Sequence, residues 1–196
     1  PGLESGSAGT FAPDQPDRFV DSSTAPLYPR FASQRVATAL ADTPVVLVNG
    51  PRQCGKTTLA QGFVDADRPY LTLDDATVLA AARNDPAALM RALPSAVIDE
   101  VQRSPALLLE LKLQVDRDRR PGRYLLTGSA NLLTLPQVAD SLAGRMAVVP
   151  LLPLSTAEVL GTGAGFLDAA FLGRLAEPPL VLSGPALMEA VLAGGY

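Results

Sequence analysis

Val45-Val46-Leu47-Val48-Asn49-Gly50-Pro51-Arg52-Gln53-Cys54-Gly55-Lys56-Thr57-Thr58 is the stretch whose reading decides the fold. An apolar run with no charge reads as a buried strand, and it feeds directly into G-x-x-x-x-G-K-T, the pattern of a phosphate-binding loop. The spacing has a chemical reason. Gly50 and Gly55 carry no Cβ, so the backbone can wrap closely around a phosphate. The loop backbone from Gly50, Pro51, Arg52, Gln53, Cys54 and Gly55 through Thr58 then wraps the phosphate, its N–H groups forming an anion nest, with a helix starting near Lys56 behind it. Lys56 would neutralise β- and γ-phosphate charge, and the Thr57 hydroxyl would sit on Mg²⁺. Lys56 and Lys112 are the only lysines in the chain, so a Gly-Lys-Thr at this point is hard to obtain by chance.

The 196 residues suffice for one domain with a full core, or one domain and part of another. Hydrophobic residues make up 47% and aromatics 5%, so the core should be aliphatic. A net charge of −4 argues against a broad nucleic-acid-binding surface. Cys54 is the sole cysteine, which excludes an intrachain disulfide and points to a reducing, cytoplasmic setting. Histidine is absent, removing Ser-His-Asp hydrolysis and the common zinc sites. No apolar run is long enough to span a membrane, and no signal-peptide pattern is visible.

Residues 1–26, rich in Gly, Ser, Pro and Asp, read as a disordered leader. Phe31, Val36, Ala39 and Leu40 suggest a helix before the first strand. Further strands are expected at 70–73, 96–98, 124–127 and 147–149, with helices over 76–82, 86–93 and 105–115 between them. Alternating helices and doubly apolar strands imply an α/β fold with a mostly parallel five-stranded sheet flanked by helices. Residues 27–153 form the expected core domain. From 154 the chain turns helical, starting with Ser155-Thr156-Ala157-Glu158, a capping-box pattern, and leads into a further module.

Ala96-Val97-Ile98-Asp99-Glu100 has the form of a Walker B strand, with two carboxylates at the sheet edge where ligands of open α/β folds collect. Asp99 would hold Mg²⁺ through water, and Glu100 would serve as general base toward an attacking water. The fourth strand ends in Thr127-Gly128-Ser129-Ala130-Asn131. Ser129 and Asn131 are both candidates to contact the γ-phosphate or the lytic water, and a helix N-cap is the plainer alternative. Arg145 is a candidate arginine finger, in cis or across a subunit interface, or else a salt-bridge partner. Cys54 reads mainly as a small residue that fits the loop, and Asp74 and Asp75 as helix caps or water-orienting groups.

Taken together, Tyr28-Pro29-Arg30, Asn49–Thr58, Leu71–Asp75, Asp85-Pro86 and Ile98–Arg103 resemble the AAA-type P-loop ATPases of bacteria and archaea that carry an uncharacterised C-terminal domain. Leu126–Asn131, Ser141–Arg145 and Pro150–Ser155 continue the resemblance in order. It implies a P-loop NTPase three-layer sandwich of the additional-strand type, with the Walker B strand one removed from the loop strand. It also implies Mg-ATP binding and hydrolysis; separately, Arg145 acting in trans would call for a homo-oligomer. The C-terminal domain of such proteins would follow this segment. A guanine-reading N-K-x-D motif is absent, which favours ATP over GTP.

Three functional readings follow. The first is a Mg-dependent ATPase that switches the conformation of its own C-terminal domain. The second is a P-loop kinase for a small acceptor, against which stands the lack of an evident arginine-rich lid segment. The third is an interaction module gated by ATP versus ADP with little turnover.

Overall fold

The computed structural model of the chain describes residues 28–129, 144–161, 166–174 and 183–193, so the expected leader lies outside the described residues. Helix α1 (Ala32–Asp42) leads into β1 (Val45–Gly50), and α2 (Lys56–Gln61) follows the phosphate loop. Then come β2 (Tyr70–Thr72), α3 (Ala76–Asn84), α4 (Pro86–Ala92) and β3 (Ala96–Asp99). A 3₁₀ turn, Val101–Arg103, precedes α5 (Pro105–Arg117), β4 (Tyr124–Ser129) and β5 (Met146–Pro150). Beyond the sheet lie α6 (Thr156–Leu160), α7 (Phe166–Phe171) and α8 (Gly184–Ala193).

The five strands form one parallel sheet in the order β2-β3-β4-β1-β5. β4 lies between the loop strand β1 and the acidic strand β3, as the additional-strand arrangement requires. The pleat explains the core. Along β1, Val45 and Leu47 point to one face while Val46 and Val48 point to the other. The first face packs on α3, α4 and α5 through Leu79, Met90, Leu107, Leu108 and Leu111. The second packs on α1 and α2 through Val36, Leu40, Leu59 and Ala60. Strands covered on both sides must be apolar throughout, which is why they read as continuous runs.

Local signals set the boundaries. Asp75 caps α3 by accepting from the backbone N–H groups of Thr77 (2.7 Å) and Val78 (3.0 Å). Asp85 caps α4 by accepting from Ala88 N–H at 2.8 Å, and Pro86 occupies the first turn where no donor is needed. The capping box at Ser155 and Glu158 is formed in both directions. Strand β4 runs two residues further than the sequence pattern suggests, through Gly128 and Ser129, because both pair with β1. Arg123, buried at the start of β4, satisfies the last carbonyls of α5 by donating to Gln114 O (3.0 Å) and Asp118 O (2.7 Å).

Leu126 is fully buried on the central strand β4. Leu126→Ala should destabilise the domain by about 2–5 kcal/mol, read as a lower denaturant midpoint at unchanged slope.

Candidate functional site

Because the sheet is parallel, β1, β3 and β4 end on one edge, and their termini carry the polar residues. The loop leaves β1 at Gly50. A Cβ on Gly50 would lie 2.1 Å from the Leu151 carbonyl oxygen, so the close passage of the β5–α6 connection demands glycine there. Gly55, at φ +88°, adopts the left-handed conformation that ends the loop and starts α2 at Lys56. Gln53 is also left-handed, at φ +64°. Lys56 is buried, and its Nζ donates to the Pro51 carbonyl at 2.6 Å, spanning the loop from inside. Pro51 has no N–H to offer a phosphate, so its part is this carbonyl. Arg52, Gln53 and Thr58 are exposed, whereas Cys54 is buried in the core cluster with Leu59 and Val48.

Asp99 ends β3 and is 3% exposed. Its carboxylate gathers three hydroxyl donors. Thr57 Oγ1 (2.8 Å) and Tyr70 OH (2.9 Å) donate to Oδ2, and Thr127 Oγ1 donates to Oδ1. Burial and the neighbouring Asp99 charge push the Tyr70 hydroxyl up to about 12, so it stays a donor across the physiological range. Glu100 follows in the left-handed region, at φ +57° and ψ +40°. Its backbone N–H donates to Thr127 Oγ1 at 3.0 Å, and its carboxylate Oε2 accepts from Gln102 Nε2. One network therefore joins the loop, the acidic strand and β4.

A second network holds the loop from behind. Arg30 donates from Nη1 to Cys54 O (2.7 Å), from Nη2 to Leu152 O (2.6 Å) and from Nε to Glu158 Oε1 (3.1 Å). The Arg30 and Glu158 side chains are 10% and 6% exposed. Burial by itself raises the Glu158 carboxyl, but the backbone N–H groups of Ser155 and Phe31, with Arg30, outweigh it and hold the group below the usual carboxylate range.

The structure thus brings Gly50–Thr58, Asp99, Glu100 and Ser129 to one edge. Asn131 lies outside the described residues. Arg145 stands at the opposite edge, just before the β5 residue that pairs with Val45, and its Nε donates to Asp116 Oδ1 at 2.5 Å. With about 3.3 Å per strand residue, that edge is roughly 16 Å from the loop, beyond the reach of the side chain in its own chain. Asp74 is exposed and paired with Arg103. Tyr70, Thr127, Gln102 and the Arg30–Glu158 pair were not singled out as functional by sequence pattern. Thr127 leaves a trace, as a lone hydroxyl closing an apolar strand, and Glu158 reads as a cap that turns out to serve a second partner.

With this geometry in hand, the relatives can be placed. The description "AAA domain" matches residues 42–160, and the chain belongs to this family. Its phosphate loop and the order of its sheet are those of an AAA-type P-loop fold. The uncharacterized proteins Mb2031c of Mycobacterium bovis and Rv2008c of Mycobacterium tuberculosis are each 40% identical to it over 160 residues, 76% of this chain and 35% of theirs. The chain spans about a third of the length of these curated relatives. The solved structure of C. elegans PCH-2 is similar at a TM-score of 0.39 and 16% identity, covering 77% of this chain and 48% of that one. No described helix is long and apolar enough to cross a membrane.

Because Glu158 is held below its ordinary value, its ion pair stabilises the fold above the unfolded pKa of about 4.3, and the contribution is lost as pH falls through the lower folded value. Glu158→Gln should therefore be less stable than wild type at neutral pH, with the gap closing on acidification below about pH 4. Arg30→Ala, which leaves a buried carboxylate unpaired, should cost about 3 kcal/mol or more at pH 7. Denaturant titrations across pH check both.

Proposed function

We propose that this domain binds Mg-ATP on the Gly50–Thr58 loop and hydrolyses it, with Glu100 as general base. The observation that carries this reading is the 2.8 Å hydrogen bond from Thr57 to Asp99, which joins the phosphate loop to the acidic pair. A loop alone would mean only binding; a carboxylate pair at the same edge supports hydrolysis.

The donor set fits the metal. Thr57 and Asp99 offer hard oxygen atoms, too few for a dedicated protein cage and suited to an ion that arrives with phosphates and keeps several waters. No cluster of three or more acidic, cysteine or histidine ligands occurs among the described residues. Asp99 is also a buried carboxylate whose hydroxyl partners carry no charge, an environment that favours a cation. Mg²⁺ held by Thr57 and, through water, by Asp99 would offset phosphate charge.

The chain's own groups do the rest. Loop N–H groups from Arg52 to Thr58 cradle the phosphates, and Lys56 exchanges the Pro51 carbonyl for β- and γ-phosphate oxygens. Glu100 takes a proton from water as the water oxygen attacks the terminal phosphorus, and ADP departs with its charge held by the loop and Lys56. Ser129, at the end of β4 beside Gly50, and Asn131 are candidates to sense the terminal phosphate. Arg145, too distant in its own chain, would act on a neighbouring subunit's nucleotide, which makes a homo-oligomer part of the proposal.

Residues 27–153 are the catalytic core in this reading, and 154–196 lead toward a C-terminal domain. Arg30 ties the loop's Cys54 carbonyl to Leu152 and Glu158, so a shift of the loop on nucleotide binding or release would pull on that exit. Turnover would drive a conformational switch in the C-terminal domain.

Lys56→Ala should weaken ATP binding at least tenfold, by loss of a charge-assisted contact of about 1.5–3 kcal/mol, measured by calorimetry or a fluorescent nucleotide. Glu100→Gln should keep binding and lower kcat by about 10²- to 10⁴-fold. Equal phosphate release by wild type and Glu100→Gln in the longer protein would refute the base assignment, and ATP consumption only on adding a small-molecule acceptor would favour a kinase.

A further inference from the structure

Two residues after the base lies a side chain that this mechanism leaves unused. Gln102 sits half-buried in the 3₁₀ turn Val101–Arg103. Its amide nitrogen donates to Glu100 Oε2, and its amide oxygen accepts from the Ser129 backbone N–H at 3.4 Å. The partners fix which end is which, since a carboxylate oxygen calls for the NH₂ group and a backbone N–H calls for the oxygen. The left-handed conformation of Glu100 makes the bridge possible. It reverses the chain at the strand end, and the turn is closed by Arg103 N–H donating to Glu100 O at 3.0 Å, which brings residue 102 back over residue 100. Ser129 in turn is the β4 residue in register with Gly50, the first glycine of the phosphate loop.

We propose that Gln102 is a positioning residue for hydrolysis: it pins one oxygen of Glu100 so that the other faces the attacking water, and it takes its reference from the end of β4. The proposal rests on Glu100 being the base. The chemistry of an amide suits this task. It donates a hydrogen bond to one carboxylate oxygen and restricts the rotation of the base. A carboxylic acid in its place would compete for the proton, and an alkyl chain would leave Glu100 loose. The bridge also makes the base responsive to β4, because any displacement of Ser129 alters the grip on Glu100. A residue that merely braced the turn would affect folding and nucleotide binding as much as turnover.

The test is steady-state hydrolysis, nucleotide affinity and thermal unfolding of the longer protein carrying Gln102→Leu or Gln102→Glu, with wild type and Glu100→Gln alongside. Gln102→Leu should lower kcat by about 10- to 100-fold while nucleotide Kd stays within about twofold. Gln102→Glu replaces the amide donor to Glu100 with a second carboxylate, so it too should lower kcat without a matching loss of affinity. Wild-type kcat in Gln102→Leu, or parallel losses of kcat, affinity and melting temperature in both variants, would overturn the proposal. If wild type and Glu100→Gln turn over alike, the base assignment itself fails and takes the proposal with it. Normal wild-type turnover, a dead Glu100→Gln and an unaffected Gln102→Leu would reject the positioning role alone.

Discussion

The carboxylate of Asp99 is the point on which the site is built. Buried at the end of β3, it needs several donors, and it finds them on three different elements: Thr57 on α2, Tyr70 on β2 and Thr127 on β4. A buried carboxylate left short of donors would carry a desolvation cost of several kcal/mol. Satisfying it therefore fixes where the phosphate loop stands relative to the acidic strand. The same Thr127 hydroxyl accepts from Glu100 N–H, so the orientation of the second carboxylate depends on the first. The network links groups that phosphoryl transfer would use in concert.

Arg30 plays the corresponding part on the outer side of the loop. Its guanidinium reaches Cys54, Leu152 and Glu158, each distant from Arg30 in sequence. A planar fork with five donors can do this where a lysine could not. The loop is thus held between the Asp99 network on the sheet side and the Arg30 network toward the exit of the chain. The glycine at position 50 belongs to the same constraint, since the backbone at Leu151 passes too close for any side chain. These contacts tie the loop to residues 151–158, the start of the segment beyond the sheet.

Much of the fold was legible because the strands are buried on both faces and therefore unbroken by polar residues. Each strand and helix from α1 to β5 falls where apolar runs and caps put it, and Asp75, Asp85, Pro86 and Ser155 mark helix starts as their chemistry dictates. The extra length of β4 was not visible, because Gly128 and Ser129 are poor strand formers held there by pairing with β1. In the site, Lys56, Thr57, Asp99 and Glu100 stood out because their spacing is itself the motif. Tyr70, Thr127, Gln102 and Arg30 did not. Their partners lie 24 to 128 residues away, except for the Gln102–Glu100 contact, which depends on a left-handed backbone that glutamate rarely adopts.

By itself the sequence determined what is local: a phosphate loop, an acidic strand end, the helix caps and the unbroken apolar runs that dictate a covered parallel sheet. These follow from periodicity and spacing, which a linear chain carries in full. Only the tertiary structure decided which hydroxyls serve Asp99, that Gln102 joins Glu100 to β4, that Arg30 locks the loop to the exit segment, and that Arg145 stands at the far edge of the sheet. Those facts depend on strand order. Inserting β4 between β1 and β3 sets Thr127 beside Asp99, and the parallel direction of β5 carries Arg145 away from the loop. Strand order is a property of packing over the whole domain, and no short stretch of sequence encodes it.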